Sequence, residues 1–234
     1  HGRAGKRWST LKHAIENRIG SFTTFVTTGR GHASTLARQV ASEGFSRVVG
    51  IGGDGTQHEI VNGLIQSDLP INPELTLVVL PCGSGSDLAK TLHVAPGTQG
   101  LGILDSDTSI QSDVGKVVYT TADHTQCTRY FINVSHIGMG GLVAHRVDGI
   151  AKFFGGFLGY QLSILSSLVT YRNPLLELDV DGRKTERRCR DIIIANGQYD
   201  GGGMYVAPHG RLDSGTLEIY VLRDFSRTAA VRNM

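Results

Sequence analysis

Val48-Val49-Gly50-Ile51-Gly52-Gly53-Asp54-Gly55-Thr56-Gln57-His58-Glu59 is the stretch that decides the fold. Its apolar start predicts a buried strand, and Ile60, Val61 and Leu64 then repeat at helical spacing. Glycines between a strand and a helix let backbone N–H groups approach an anion, and the helix start adds a partial positive charge. The layout predicts a phosphate-binding loop. An ordinary glycine turn of an α/β protein is the alternative.

Asp54 is the unexpected residue of this loop, because a carboxylate and a phosphate repel each other. A carboxylate beside a phosphate makes chemical sense when Mg²⁺ or a hydroxyl group lies between the two. We therefore expect Asp54 to act through a metal ion or a hydroxyl.

A second loop of the same kind follows one strand later. Residues 75–80 read as a strand, Pro81-Cys82-Gly83-Ser84-Gly85-Ser86-Asp87 as the loop, and Leu88 as the start of a helix. Ser86 or Asp87 could instead be a simple N-cap. Predicted helices at 6–19 and 33–43 and a strand at 21–27 extend the alternation, which favours a parallel sheet. The loops after Thr27, Ile51 and Leu80 would then open at one edge of it.

The second half of the chain reads differently. Predicted strands cover 114–119, 130–134, 175–180, 184–190, 192–195 and 217–222, with a hairpin turn at Asp181-Gly182. Short connections favour antiparallel pairing. One predicted helix, 151–171, carries Phe153, Phe154, Phe157 and Leu158, and it either packs on the sheet or forms an apolar wall for a lipid. We predict two domains, an α/β domain at 1–108 and a β-rich domain at 109–234.

Composition narrows the class of protein. The 234 residues are 40% hydrophobic and 19% charged, as in globular proteins. A net charge of +2 is too small to argue for nucleic acid, and no apolar run approaches the ~20 residues that span a bilayer. Three widely separated cysteines favour a reducing cytoplasm. The ends suggest a piece of a longer chain, with a first strand before the start and a β-rich domain cut at its end.

The motifs together resemble the diacylglycerol kinase catalytic domain family of bacterial lipid kinases, which is related to sphingosine kinases and NAD kinases. Gly52-Gly53-Asp54-Gly55-Thr56 is similar to the phosphate loop of that superfamily, and 81–89 to its Pro-x-Gly-Thr/Ser-Gly-Asn-Asp-Phe-Ala motif. Residues 58–64 match Asn/His-Glu-x-x-Asn-Gly-Leu, and 196–208 match Asn-Gly…Gly-Gly-Gly-Met…Pro. The resemblance implies an N-terminal α/β nucleotide-binding domain with a parallel sheet and a C-terminal antiparallel β-sandwich-like domain.

The resemblance also implies site residues. Catalytic roles through Mg²⁺ fall on Asp54 and Asp87, and the family's general base lies in a late segment, beyond Met234. Contacts to ATP are expected from these residues: Thr27, Gly52, Gly53, Asp54, Gly55, Thr56, Gln57, His58, Glu59, Gly83, Ser84 and Gly85. A structural metal site maps onto Arg211, Asp213, Ser214 and Thr216. Ser86 replaces the family's Asn, and Ser214 replaces the Asp of its Asp-Gly turn.

The resulting hypothesis is a cytoplasmic lipid kinase, peripheral at the membrane, that uses ATP and Mg²⁺ to phosphorylate a lipid hydroxyl. Diacylglycerol or a related lipid is the first substrate, and a sphingoid base is the alternative. A catalytically inactive nucleotide- or lipid-binding pseudokinase is the second hypothesis, favoured by Ser86 and Ser214 and opposed by intact Asp54 and Asp87. We expect no nucleic-acid partner and leave a homodimer open.

Overall fold

The computed structural model describes residues 3–83, 85–154 and 156–223, and the chain forms two compact units. The first unit holds His1–Asn133 with Asn196–Thr216, and the second holds Val134–Ala195 with Leu217–Met234. The helices are α1 Arg3–Ile19, α2 His32–Ser42, α3 Asp54–Leu64, α4 Asp87–Thr91, a 3-10 helix Gly97–Asp105, α5 Met139–Phe154 and α6 Gly156–Thr170. The strands are β1 Arg47–Gly52, β2 Ile65–Gln66, β3 Leu69–Pro70, β4 Thr76–Pro81, β5 Gly115–Thr120, β6 Gln126–Phe131, β7 Val134–Gly138, β8 Leu175–Val180, β9 Arg183–Ala195, β10 Tyr199–Asp200, β11 Met204–Tyr205 and β12 Glu218–Arg223.

A parallel pair of strands, β1 and β4, forms the centre of the first unit. Side chains alternate along β4, so that Val78 and Leu80 face one side and Leu77 and Val79 face the other. The first side packs against α1 and the 3-10 helix through a cluster that includes the following buried residues: Leu11, Ile15, Leu101 and Leu104. The second side packs against helices α2, α3 and α4. Apolar residues on both faces are what a buried parallel strand requires.

One predicted strand is absent. Residues 21–27 form no strand, although their composition of Thr, Phe and Val favours one. Their aromatic rings are used for packing instead, with Phe22 edge-on to Trp8 and Phe25 edge-on to Phe45. Among the described residues β1 pairs only with β4, so this segment lacks the ladder that would make it a strand. Tertiary packing has overridden local β preference here.

Small hairpins complete the first unit. The β2–β3 and β5–β6 hairpins are antiparallel, and Asp68 joins them by accepting the Tyr130 hydroxyl at 2.6 Å and the Lys116 ammonium at 2.7 Å. The β10–β11 hairpin belongs to the same unit. The predicted domain boundary between residues 108 and 109 stays a prediction. The compact units are defined by contacts and are each built from two segments of the chain.

Antiparallel strands build the second unit. The order is β12–β9–β7, and β8 pairs with the first half of β9. Asp181 and Gly182 have φ of 51° and 80°, as the predicted hairpin turn requires. Two boundaries were wrong: the predicted strands 184–190 and 192–195 are one strand, β9, and the predicted strand 130–134 is divided between β6 and β7. The parallel first sheet and the antiparallel second sheet confirm the predicted fold class.

The predicted single helix at 151–171 is wrong, because α5 ends at Phe154 and α6 begins at Gly156. The two helices lie side by side, with Arg146 of α5 donating to the hydroxyl of Thr170 of α6 at 2.8 Å. Gly156 is the first residue of α6, and glycine has a weak helix preference. The side chains of Phe153, Phe154, Phe157 and Leu158 lie outside the described residues. Within the described ranges, no helix combines the length and apolar character needed to cross a bilayer.

Candidate active site

The two glycine loops meet at the carboxyl edge of the parallel strands. Gly52 lies opposite Pro81 in the ladder, and the Cys82 amide donates to the Gly52 carbonyl at 2.9 Å. The loop backbones then touch, because a Cβ built on Gly83 would lie 2.5 Å from the Gly53 Cα. Real Cβ atoms do not approach so closely, so only glycine fits at this point. The two loops therefore meet at one edge of the sheet, as the sequence predicts.

The first loop turns directly into helix α3. The amides of Thr56 and Gln57 both donate to the Gly53 carbonyl, at 3.0 and 3.1 Å. The first amides of the helix, starting at Asp54, therefore point out of its end toward the loop. Helix dipole and free donors together favour an anion there.

The second loop turns into the short helix α4. Ser86 is left-handed, with φ of 55° and ψ of 46°, a conformation that Asn adopts more readily than Ser. The Ser86 hydroxyl is buried and finds no hydrogen-bond partner in the part of the chain that the structure describes. Ser84 lies outside the described residues, so its predicted contact to ATP stays a prediction.

Two carboxylates from the two loops converge on one glycine. A Cβ built on Gly85 would lie 3.1 Å from Oδ2 of Asp54 and 3.4 Å from Oδ2 of Asp87. Burial raises the pKa of the Asp54 carboxyl, the hydrogen bond from the Leu88 amide opposes that shift, and the negative charge of Asp87 adds to it. A proton or a cation near Asp54 would relieve this repulsion.

Lysine and a backbone amide hold Asp87. Its Oδ1 accepts the Lys90 ammonium at 3.0 Å, and its Oδ2 accepts the Gly202 amide at 2.8 Å. Gly203 has a φ of 113°, a backbone conformation that favours glycine, and Nζ of Lys90 lies 2.7 Å from where its Cβ would be. Sequence reasoning missed Lys90 and Gly202 as partners of Asp87. Lys90 was visible as an i, i+3 pair on the helix, whereas Gly202 is 115 positions away.

The third glycine segment reaches the site because asparagine and threonine side chains tie it down. Asn133 donates to the Tyr199 carbonyl at 2.8 Å, and the Gln198 amide donates to the Thr91 hydroxyl at 3.1 Å. The segment then passes through Gly201, Gly202 and Gly203, all with positive φ, at 63°, 90° and 113°. Three left-handed residues in a row are accessible to glycine only. The path delivers the Gly202 amide to Asp87.

Other residues predicted to contact ATP have partners within the fold. The Glu59 carboxylate accepts the amides of Gly31 and Ala33, at 2.8 and 3.1 Å, so it caps the N-terminus of α2. Gln57 is buried and donates to the Gly50 carbonyl at 2.7 Å, which locks α3 onto β1. Thr27 is exposed in the loop before α2. The predicted contacts of Thr27, Gln57 and Glu59 to ATP stay predictions.

The next residues of α3 secure the neighbouring hairpin. Asn62 donates to the Tyr130 carbonyl at 2.8 Å and accepts the Tyr130 amide at 3.0 Å, which imitates a strand pairing. Partial burial and the Arg129 guanidinium lower the pKa of His58. A Cβ on Gly63 would collide with the Ser34 carbonyl, so the close packing of α2 on α3 depends on this glycine. Asn62 therefore attaches β6 to α3, and Gly63 allows α2 to pack closely on α3.

The four residues predicted to hold a structural metal lie together in one turn. The Ser214 hydroxyl lies 3.2 Å from the carbonyl oxygens of both Arg211 and Thr216, and the Asp213 carboxylate is paired with the Arg211 guanidinium at 3.2 Å. The single Ser214 proton can be donated to one of these carbonyls at a time, and the Asp213 carboxylate already faces a cation. The donor set fits a metal poorly, and the predicted site gains no support from this geometry.

Asp54 and Asp87 fit a divalent ion better, provided that a ligand brings further oxygens. Nowhere in residues 3–83, 85–154 and 156–223 do three or more His, Cys, Asp or Glu side chains cluster so that they could hold a metal by themselves. Mg²⁺ is commonly bound by one or two carboxylates together with phosphate oxygens. Asp54 and Asp87 can supply these two carboxylates, beside a helix start whose first amides are free to donate.

Comparisons with known proteins agree with this geometry. The family model of the diacylglycerol kinase catalytic domain matches residues 1–117, and that of the YegS C-terminal NAD kinase beta sandwich-like domain matches residues 133–234. A diacylglycerol kinase of Bacillus subtilis (strain 168) is 27% identical over 209 residues, which are 89% of this chain and 65% of the relative. A probable lipid kinase YegS-like of Chromohalobacter salexigens is 29% identical over 210 residues, which are 89% of this chain and 64% of the relative.

Solved structures show the same fold. The crystal structure of a putative diacylglycerol kinase from Bacillus anthracis str. Sterne superimposes with a TM-score of 0.70 at 22% identity, covering 98% of this chain and 73% of that one. The chain spans slightly less than two thirds of the length of the curated relatives named above. On the family models that match both parts of it, the chain belongs to the diacylglycerol kinase catalytic domain family.

Proposed function

We propose that the protein is an ATP-dependent lipid kinase that transfers the γ-phosphoryl group of MgATP to a lipid hydroxyl, with diacylglycerol or a related lipid as the substrate. The observation that carries the proposal is the convergence of the Asp54 and Asp87 carboxylates on Gly85, at the end of two parallel strands. Relatives are named diacylglycerol kinase and probable lipid kinase, which supports the same reaction class.

Phosphoryl transfer asks mainly for positioning and charge neutralisation. The backbone at the start of α3 supplies donors for phosphate oxygens, and Asp54 and Asp87 would hold Mg²⁺ together with those oxygens. The bound ion would neutralise charge that develops on the phosphates. Asp54 gains most from it, since burial and the Asp87 carboxylate both disfavour its charged form in the free protein.

Lys90 has a place in this proposal through Asp87. Its ammonium already lies 3.0 Å from Asp87 Oδ1, so it offsets the negative charge of one carboxylate when no ion is bound. When MgATP enters, the same ammonium is close enough to the loop to turn toward a phosphate oxygen. Lys90 is thus proposed to bind and orient, and the proton acceptor for the lipid hydroxyl is assigned to no described residue.

A sphingoid-base kinase is the alternative within the same reaction class, and an inactive nucleotide- or lipid-binding pseudokinase is the alternative outside it. The pairing of both Asp87 oxygens and the left-handed Ser86 favour the pseudokinase. The convergence of the Asp54 and Asp87 carboxylates supports binding of MgATP, which an inactive nucleotide-binding protein could share, so turnover is what separates the two hypotheses. Peripheral binding to a membrane is part of the proposal because the substrate is a lipid, and a cytoplasmic location is proposed from the three widely separated cysteines.

The test is ADP release from MgATP by the full-length protein, with diacylglycerol, phosphatidylglycerol and sphingosine presented separately in mixed micelles. We expect turnover with diacylglycerol above that with sphingosine. Turnover with sphingosine alone would replace the proposed substrate, and a thermal shift with MgATP but no turnover on any lipid would favour the pseudokinase. Asp107→Asn, which changes an exposed carboxylate outside both loops, should keep the wild-type turnover and is the control for substitutions of Asp54 and Asp87.

A further inference from the structure

The turn formed by residues 211–216 is held from inside by one hydroxyl. Ser214 Oγ lies 3.2 Å from the Arg211 carbonyl oxygen, 3.2 Å from the Thr216 carbonyl oxygen and 3.0 Å from the Thr216 hydroxyl. It also accepts the Thr216 amide at 3.3 Å. A serine hydroxyl both donates and accepts, so it can bridge two strands of a turn in a way that a lone carboxylate cannot.

The only carboxylate within the turn is neutralised by an arginine. Nε and Nη2 of Arg211 lie 3.2 and 3.4 Å from the two carboxylate oxygens of Asp213. The guanidinium lowers the pKa of the Asp213 carboxyl, so the pair is charged at neutral pH. A divalent cation would have to displace an intramolecular cation from these oxygens and would then lie close to it.

A second carboxylate closes the turn from outside. Oδ2 of Asp113 accepts the Gly215 amide at 2.6 Å, and the Asp113 amide donates to the Leu212 carbonyl at 2.5 Å. Gly215 has a φ of 70°, which places its amide toward Asp113 at little conformational cost. The Gly215 amide and the Leu212 carbonyl are therefore satisfied by Asp113.

We propose that the hydrogen bonds of Ser214, the Arg211–Asp213 ion pair and the Asp113 cap together take the place of a structural divalent cation in this turn. Ca²⁺ and Mg²⁺ prefer carboxylate and carbonyl oxygens. Here a neutral hydroxyl, which donates its one proton to either carbonyl, lies where a charged ligand would be needed, and the Asp113 and Asp213 carboxylates already have partners. The chain accordingly folds and keeps this turn without metal.

The turn matters to the candidate active site through Leu212. This buried side chain packs in one cluster with Leu88 and Ala89 of α4, the helix that begins at Asp87. Support for Asp87 then does not depend on a structural cation. As an extension that rests on the proposed function, the divalent requirement of the kinase is that of MgATP alone.

The experiment compares thermal unfolding of the full chain in excess EDTA with unfolding in MgCl₂ and in CaCl₂. Wild type is expected to show the same Tm in all three. Ser214→Ala is expected to lower Tm by about 2–4 °C, equally in each, because it removes a hydrogen-bonding hydroxyl. Ser214→Asp is expected to lower Tm in EDTA and to regain stability in CaCl₂ or MgCl₂, because it supplies the ligand that the turn lacks.

Matched variants make the outcome decisive. Ser42→Ala removes an exposed hydroxyl that also donates to a backbone carbonyl, at 3.0 Å, and controls for general loss of a serine. A wild-type Tm that falls in EDTA, recovers with metal, and loses that recovery in Ser214→Ala and Asp213→Ala would overturn the proposal. Metal stabilisation that survives in both Ser214→Ala and Asp213→Ala would place the ion outside this turn, as the proposal requires. Should Ser214→Asp fail to fold, the wild-type and alanine results still decide. Absence of lipid-dependent ADP release would count against the proposed function alone.

Discussion

Two oxygen-rich regions of the first unit differ in how their carboxylates are paired, and the pKa shifts of those carboxylates have opposite signs. In the glycine loops, Asp54 and Asp87 face the same point over Gly85, and the pKa of Asp54 is raised by burial and by its neighbour. In the turn at 211–216, the Asp213 carboxylate is matched by Arg211 and its pKa is lowered. Repulsion between buried like charges is typical of a ligand-binding site, whereas a carboxylate paired with a cation is typical of a structural contact.

The comparison also shows that residue types alone do not determine whether a loop is suited to bind a metal ion. Both regions contain carboxylates, hydroxyls and glycines in short loops, and both are predicted from the sequence to bind metal. The difference lies in partners. Asp87 stands between the two cases, since Lys90 offsets its charge while the Gly202 amide orients it. The Lys90 ammonium lies 3.0 Å from Asp87 Oδ1, and the proposed binding of MgATP would exchange this contact for one to the bound ion.

A glycine substitution in the loops should lower activity, whereas one in the turn at 211–216 should lower the free energy of unfolding. Gly85→Ala would bring a methyl group to 3.1 Å from Asp54 Oδ2, so we expect kcat/KM for MgATP to fall about 10-fold or more while the fold persists. Gly215→Ala has open space but a φ of 70°, so we expect a loss of about 1–2 kcal/mol in the free energy of unfolding, measured by urea denaturation, with activity retained. The comparison fails if Gly85→Ala lowers only stability or Gly215→Ala lowers only activity.

Removing the charge of Asp54 should stabilise the free protein. Its folded-state pKa is raised, so the ionised carboxylate costs stability at pH above that folded pKa, and the cost disappears as the pH falls through it. We therefore expect Asp54→Asn to raise Tm at pH 7, with an advantage that shrinks toward pH 4. The asparagine oxygen can still accept the Leu88 amide. Measurement is by thermal unfolding across pH without nucleotide.

Asp68→Asn provides the opposite sign for that experiment. The hydrogen bonds from Lys116 and Tyr130 lower the pKa of Asp68, so its contribution to stability is present above the ordinary carboxyl pKa and is lost as the pH falls. We expect Asp68→Asn to lower Tm slightly at pH 7 and to lower it still at pH 4, with the difference lost only as the pH falls below the ordinary carboxyl pKa of 3.8. Equal pH trends for the two variants would contradict the contrast between a strained and a matched carboxylate.

Asp213→Ala should have the smallest effect. The Arg211 partner is mostly exposed, and exposed ion pairs contribute little to stability. We expect a small drop in Tm that is the same in EDTA and in MgCl₂. A drop that appears only when Mg²⁺ is present would show that the turn binds the ion, and the matched-charge interpretation of this region would be wrong.

Much of the first unit could be predicted because its signals are local. Apolar periodicity identified α1, α2 and α3, and the glycine loops identified the ends of β1 and β4. The strand expected at 21–27 failed because strand formation depends on a partner, which local composition does not contain. The break between α5 and α6 was missed because the apolar run continues across Gly155-Gly156.

The functional roles within the motifs were harder to predict. Glu59 and Asn62 lie next to a phosphate-type loop in sequence, yet their side chains cap α2 and pair with Tyr130. The Gly202 amide reaches Asp87 across 115 positions, a distance at which no local rule operates.

The central claim is that Asp54 and Asp87 form the protein's half of a MgATP site. The most direct test is ADP release with MgATP and diacylglycerol micelles by wild type and Asp54→Ala, with circular dichroism to verify folding. The account predicts turnover by wild type and a loss of at least about 100-fold in the variant, the scale of one lost electrostatic contact in a transition state. Turnover by a folded Asp54→Ala at the wild-type rate would contradict it.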